Sequence, residues 1–209
     1  MTASAIILLP DQRLSDRGFT DPAWSERDRA ALESMAARLR AVLREEKPSV
    51  QAKRLDIFYL TEDDGCAHRV VIVNWAELMG CATLTVVGFF GQRRGDADMQ
   101  ATLMADAVML QQFTEQPHLL SYSSRQFVSG QWANLVLFSS PEGINHWGAN
   151  SYHSQAAREI SPSYYNSIRL HNGALEDGLW SGQPIRLQRT KYYDFRGADL
   201  WHAVREFTQ

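Results

Sequence analysis

The residues best suited to chemistry lie in the stretch SSPEGINHWGANSYHSQAA: His146, Asn150 and His153. On a continuous helix, His146 and His153 stand seven residues apart and share a face. Their separation along the axis is roughly 10.5 Å at 1.5 Å per residue. That is too far for both to bind one metal directly, which takes the His-x-x-x-His spacing of adjacent turns. Asn150 lies between them, so the three side chains would line one wall of a pocket, with Trp147 and Tyr152 near its edges. An imidazole there titrates near neutrality and suits a general base or a hydrogen-bond donor. Helical periodicity equally fits a buried stripe of Ile144, Trp147, Ser151 and Ala156 that leaves His146, Asn150 and His153 in water. Both readings stand at this point.

A second candidate is SPSYYNSIRLHNG, Ser161 to Gly173, a connecting segment bounded by Pro and Gly. Arg169 can pair with a substrate carboxylate, and Tyr164 or Tyr165 can hold a carbonyl oxygen. The plainer reading packs Tyr165 and Ile168 on a sheet and makes His171-Asn172-Gly173 a turn. Asp63, Asp64, Cys66 and His68 offer metal-type ligands, but turn chemistry explains the first half and no second ligand pair with zinc spacing follows. We expect no metal site. Arg93-Arg94-Gly95-Asp96 reads as a solvated loop before a helix cap. The chain lacks G-x-x-x-x-G-K-[ST], G-x-G-x-x-G, H-E-x-x-H and G-x-S-x-G, so four common chemistries have no supporting motif.

The elements that would position these residues follow from patterning. Ser4 to Leu9 is an apolar strand. A helix starts at Asp21-Pro22 or at Ser25, buries Leu32, Met35, Ala36, Leu39, Val42 and Leu43, and stops at Pro48. Leu55 to Leu60 and Val70 to Val73 are strands around the Asp64-Gly65 turn. Ala82 to Gly91 is a strand. A helix capped by Asp96 or Asp98 presents Met99, Leu103, Ala107, Leu110 and Phe113 on one face. His118 to Val128 and Trp132 to Phe138 are strands. Ser140-Pro141-Glu142 opens a helix that runs to about Ile160. Pro184 to Phe195 is the final strand. The order is β-α-β-β for residues 1–80, then β-α-β-β-α-β for residues 81–209, which is the ferredoxin-like sequence of elements. These are the two expected domains.

Composition bounds the rest. The chain has 209 residues, 44% hydrophobic and 22% charged, with a net charge of -3. That excludes a disordered or disulfide-scaffold chain and gives no reason to expect a nucleic-acid or anionic-membrane partner. The apolar run Val70 to Phe90 is interrupted by Asn74, Glu77 and Gly80 and reads as two buried strands rather than a membrane span. Cys66 and Cys81 are expected as reduced thiols in a cytoplasmic protein.

From Trp132 onward a strand runs into Ser-x-Glu at a helix start, then a Trp, then a His two turns later. This resembles the dimeric α/β-barrel superfamily, which includes antibiotic-biosynthesis and heme-degrading monooxygenases. The resemblance implies an α+β fold of ferredoxin-like units, as a homodimer or as a tandem pair within one chain. It implies a small-molecule enzyme of oxygenase type, acting on an aromatic or planar substrate between sheet and helices. His153 and His146 are then the catalytic candidates, and Trp147, Asn150, Tyr165 and Arg169 the substrate contacts. The alternatives are a heme-binding or heme-degrading protein with His153 as axial ligand, and a non-catalytic dimerising scaffold.

Overall fold

The computed structural model describes residues 5–49 and 55–207, and the side chains of residues 99, 101 and 102 also fall outside the description. Ser4, the expected start of the first strand, lies outside the described residues; the strand is seen as β1, Ile6–Leu8. Helix α1, Ala23–Glu45, starts where the Asp21 carboxylate accepts the Ala23 N–H at 2.9 Å. Its buried face carries Leu32, Met35, Ala36, Leu39, Val42 and Leu43, the set that the three- and four-residue spacing predicts.

Strands β2, Asp56–Thr61, and β3, Ala67–Ile72, form a hairpin whose turn needs Gly65 at φ +76. A short helix α2, Trp75–Gly80, capped by Asn74, breaks the apolar run before β4, Leu84–Arg93. Among the described residues no helix is long and apolar enough to cross a membrane. Helix α3, Met99–Gln112, is capped by Asp98. Strands β5, Leu119–Gln126, and β6, Gln131–Phe138, follow. Then come helices α4, Glu142–Ala149, and α5, Ser151–Gln155, a π-helical turn Ala156–Ile160, and α6, Ser161–Tyr164. Strands β7, Tyr165–Leu175, β8, Arg186–Asp194, and β9, Trp201–Glu206, complete the chain.

The molecule is α+β, with one mixed nine-stranded sheet in the order β1-β9-β8-β7-β4-β6-β5-β3-β2. Only the β1–β9 pair is parallel among the described strands. The first three strands therefore separate, β1 to one edge and β2–β3 to the other.

Two expectations are corrected here. Much of the segment Ser161 to Gly173 is not a connection but strand β7, paired with β4 on one side and β8 on the other. Asn172-Gly173 does not turn. It runs through a bulge, where a Cβ on Gly173 would stand 2.5 Å from the Arg186 carbonyl oxygen. The expected final strand is β8, one place further out, and β9 follows it. Polar residues with partners inside the core hid the alternation of β7.

The middle of the sheet is covered on both faces. Helix α1 packs with Leu84, Val86, Phe90, Leu120, Leu135 and Leu137 on one face. On the other, Val71, Tyr122, Val136 and Phe138 pack with Phe113, Met109, Leu110, Ile144 and Trp147 from the α3 and α4 region. The predicted face of α3 is half right. Leu110 and Phe113 turn inward, but Leu103 is 57% exposed and Ala107 is exposed, while Asp106 reaches the sheet. Helix α3 is apolar nearly all round, so periodicity did not fix its rotation.

Candidate functional site

The helical stretch after β6 is broken at Asn150. Its φ and ψ of -59 and 124 leave the helical region, so α4 ends and α5 starts afresh. The Asn150 side chain makes the break stable. Its Oδ1 accepts the His153 N–H at 2.9 Å, and its Nδ2 donates to Gln112 Oε1 on the segment of α3 at 3.0 Å. The break changes the expected geometry, because seven-residue spacing aligns side chains only on an unbroken helix. His146 points outward beside His118, ring centroids 6.1 Å apart, and is exposed. His153 turns inward against Trp147, centroids 4.9 Å apart. Neither all-in nor all-out describes the trio, and the two histidines are not neighbours.

Trp147 links His153 to the sheet. Its ring lies 5.5 Å from Phe113, 6.4 Å from Tyr122 and 6.5 Å from Phe138. At the edge of this aromatic cluster His153 Nδ1 is buried and has no hydrogen-bond partner among the described residues. Burial lowers the His153 pKa from 6.5 to about 4. The imidazole is therefore neutral at physiological pH and carries a lone pair able to accept a proton.

The floor is the sheet. Arg69 on β3, Ser124 on β5, Asn134 on β6 and Phe89 on β4 are register partners in one row across the strands. Arg69 donates to both oxygens of Asp106 on α3, at 2.5 and 2.7 Å, which pins that helix over the floor. Its guanidinium carbon lies 6.0 Å from the centre of the Tyr122 ring. Tyr165 packs against Phe89 at 5.3 Å and over Gly91, where any Cβ would collide with its ring. Burial, reinforced by the Asp106 charge, pushes both the Tyr122 and the Tyr165 phenols up. Arg69 Nε and Trp132 Nε1 are buried donors without a partner among the described residues.

Arg169 stands elsewhere. Tyr165 belongs to the α3 face, whereas Arg169 points under α1, where Asp28 accepts its Nε at 2.5 Å and its Nη2 at 2.8 Å. His171 Nε2 meets the same Asp28 at 2.8 Å, and its Nδ1 meets Thr190 Oγ1 at 2.7 Å. Trp24 covers the Arg169 guanidinium at 4.6 Å. Burial alone would raise the Asp28 pKa, but hydrogen bonds from Arg169 and His171 outweigh it and hold the carboxyl below its usual range. This is a closed core network. The structure thus brings together His153, Trp147 and Asn150, puts Tyr165 on the same face of the sheet, and leaves out His146 and Arg169.

The turn cluster is resolved into separate pairs. Asp64 meets Arg125 at 2.7 Å, and His68 turns into the core with its Nδ1 2.6 Å from Glu62. Cys66 and Cys81 are free. Among the described residues no three His, Cys, Asp or Glu side chains group as a metal site. A hollow of about 430 Å³ opens on the α1 side between Ser25, Arg29, Gln183, Ile185 and Phe207. Its Arg29 is already paired with Glu26 and Glu33, so the hollow offers no unpaired buried group comparable to His153.

Sequence reasoning missed Arg69, Asp106 and Tyr122. A signal was present for two of them, since Asp106 is the one charge within Met99–Gln112 and Arg69 the one charge within the strand AHRVVI apart from His68. A lone charge in an apolar element has to meet a partner.

One feature of an iron-binding imidazole is missing at His153 among the described residues. An imidazole that binds iron through one nitrogen donates its other N–H to a carboxylate or carbonyl, which sets the tautomer. His153 has no such partner among the described residues for its buried Nδ1.

No family model and no curated protein matches the sequence. Among solved structures, a protein from Shewanella oneidensis is 9% identical and covers 45% of this chain and 92% of its own, with a TM-score of 0.41. A monooxygenase-like protein from Listeria innocua is 15% identical over 58% of this chain and 75% of its own, with a TM-score of 0.35. An aldoxime dehydratase in complex with butyraldoxime is 14% identical over 55% of this chain and 31% of its own, with a TM-score of 0.30. At these scores no residue role is carried over from any of them.

Proposed function

We propose that the chain is a small-molecule enzyme of oxygenase type, acting on an aromatic or planar substrate held between the sheet and helices α3 to α5. The observation that carries this reading is the neutral His153 imidazole with an unpaired, buried Nδ1, packed against Trp147. A buried acceptor left unpaired costs on the order of 1–3 kcal/mol, and such a cost is met where a ligand supplies the missing donor. The strand order β7-β4-β6-β5, each neighbour antiparallel, supports the ferredoxin-like assignment of this part of the chain.

His153 accepts a proton from an acidic C–H or O–H of the substrate. A base with a pKa of about 4 is weak in the free protein. The anion that forms beside it favours the imidazolium and raises its proton affinity as transfer proceeds. Asn150 fixes the direction of the ring by capping the His153 N–H. Trp147 and Tyr165 supply flat apolar walls with little rotamer freedom to lose. An activated CH2 group then reacts with O2 to give C=O and H2O. The substrate supplies all the electrons, one oxygen atom enters it, and the other leaves as water.

Oxygen uptake with a panel of anthrone-type aromatics, which carry the activated CH2 group, tests the reading. The wild type is expected to consume O2 with at least one of them, and His153→Gln to lose at least about a hundredfold, the lower range of a general-base contribution. Uptake that is unchanged in His153→Gln would overturn the assignment of His153. The absence of both uptake and binding across the panel would overturn the enzyme reading.

A further inference from the structure

We infer that the substrate carries an ionised carboxylate and that Arg69 is the residue that reads it, with Asp106 occupying that subsite in the free protein. The inference rests on the reading of the α3 face as the substrate enclosure. Arg69 already grips a carboxylate through two parallel N–H···O contacts, at 2.5 and 2.7 Å, and that carboxylate comes from a helix rather than from the sheet. The planar fork matches any carboxylate of the same shape, so a ligand acid can replace Asp106 without a new geometry.

The surroundings favour exchange over a fixed strut. The Arg69 side chain is 14% exposed and that of Asp106 28%, so solvent reaches the pair from the Asp106 side. Arg69 keeps a buried Nε–H that Asp106 does not use, so the guanidinium is incompletely satisfied in the free protein. The turn of α3 before Asp106 sends Leu103 and Met104 to solvent at 57% and 63% exposure, whereas Met109 and Leu110 hold its later part on the sheet, so the Asp106 end is the part able to move. Contrast Asp28–Arg169, whose side chains are 4% and 6% exposed with His171 as a third member; nothing from solution competes there.

The aromatic side chain nearest the guanidinium on this face is Tyr122, its ring centre 6.0 Å away. Arg69 is in this sense a specificity residue: it selects the charged group.

The test uses naphthoate and its neutral amide as probes at neutral pH, with tryptophan fluorescence as the readout. Wild-type protein is expected to bind naphthoate at least about tenfold more tightly than the amide, the size of one charge-assisted contact. Arg69→Gln should bring naphthoate down to the level at which the same variant binds the amide. Asp106→Asn keeps Arg69 and removes its competitor, so naphthoate should tighten while the amide does not; this variant decides the matter if Arg69→Gln fails to fold. Equal binding of acid and amide in the wild type, or no tightening in Asp106→Asn, overturns the carboxylate subsite and leaves the proposed enclosure standing. If neither probe binds, the enclosure and the subsite fall together.

Discussion

Burial holds the imidazole of His153 neutral, which lowers its pKa from 6.5 to about 4. The sign for stability follows directly. As pH falls through the ordinary value of 6.5 the unfolded chain takes up a proton, whereas the folded chain does so only near 4. Between these values the unfolded state binds more protons, so stability falls with pH and levels off below the folded pKa. The full effect is on the order of 3 kcal/mol, from 1.36 kcal/mol per unit. His68 shifts in the same direction, chiefly by burial, so the comparison has to be made against His153→Gln, which removes only the His153 contribution. Urea denaturation at neutral pH and near pH 4 should show a smaller acid loss in the variant; an equal loss would mean that His153 is solvated. Asp28 makes the opposite kind of case. Its carboxylate serves both Arg169 and His171 in the core, so Asp28→Ala leaves a buried guanidinium uncompensated and should cost about 3–5 kcal/mol of unfolding free energy. A loss under about 1 kcal/mol would show that Arg169 finds water instead.

At the scale of elements, the break at Asn150 decides what His153 can do. Asn150→Ala removes the cap on α5 and the tie to Gln112, and it lets α4 and α5 join into the continuous helix that the sequence pattern suggests. His153 would then rotate out of its contact with Trp147. Its titration, followed by NMR, should rise from about 4 towards 6.5, with a stability loss of about 1 kcal/mol from the lost cap. An unchanged His153 titration would show that Trp147 packing, not the cap, holds the ring. The same element shows what was legible in sequence. Helix α1 could be read in full, because its apolar residues recur strictly and its far face is charged. The hairpin at Gly65 could be read from its turn chemistry. Asn150 could not, since asparagine inside a helical pattern is tolerated and the tie that holds its side chain comes from Gln112, 38 residues away. Strand β7 was hidden for a related reason: Arg169 and His171 look like loop residues until Asp28 and Thr190 arrive from other elements. Long-range partners, not local propensity, make these choices.

Over the whole molecule, the question is what covers the sheet. In a face-to-face dimer of ferredoxin-like units, the face away from α3 and α4 is buried by a second copy. Here that face is covered within the chain. Helix α1 buries Leu32, Met35, Leu39 and Leu43 against strands β3 to β7, and the segment before α1 continues the cover over β8 and β9, where Leu14 and Phe19 pack on Leu8, Tyr192 and Ala203. Arg205 locks this segment down. It is fully buried and donates to the carbonyls of Leu9, Gln12 and Thr20 and to the Tyr192 hydroxyl. With the central strands of that face covered among the described residues, much of the hydrophobic term that drives face-to-face pairing is already used inside one chain. The expected state in solution is therefore a monomer of 23.7 kDa, read by light scattering during gel filtration. Arg205→Met should loosen the segment before α1 and expose the β8–β9 part of that face, giving concentration-dependent association that the wild type lacks. A stable wild-type dimer would locate the interface elsewhere, on the outer side of α3 where Leu103 and Met104 meet solvent, and would place a second copy beside the proposed substrate site.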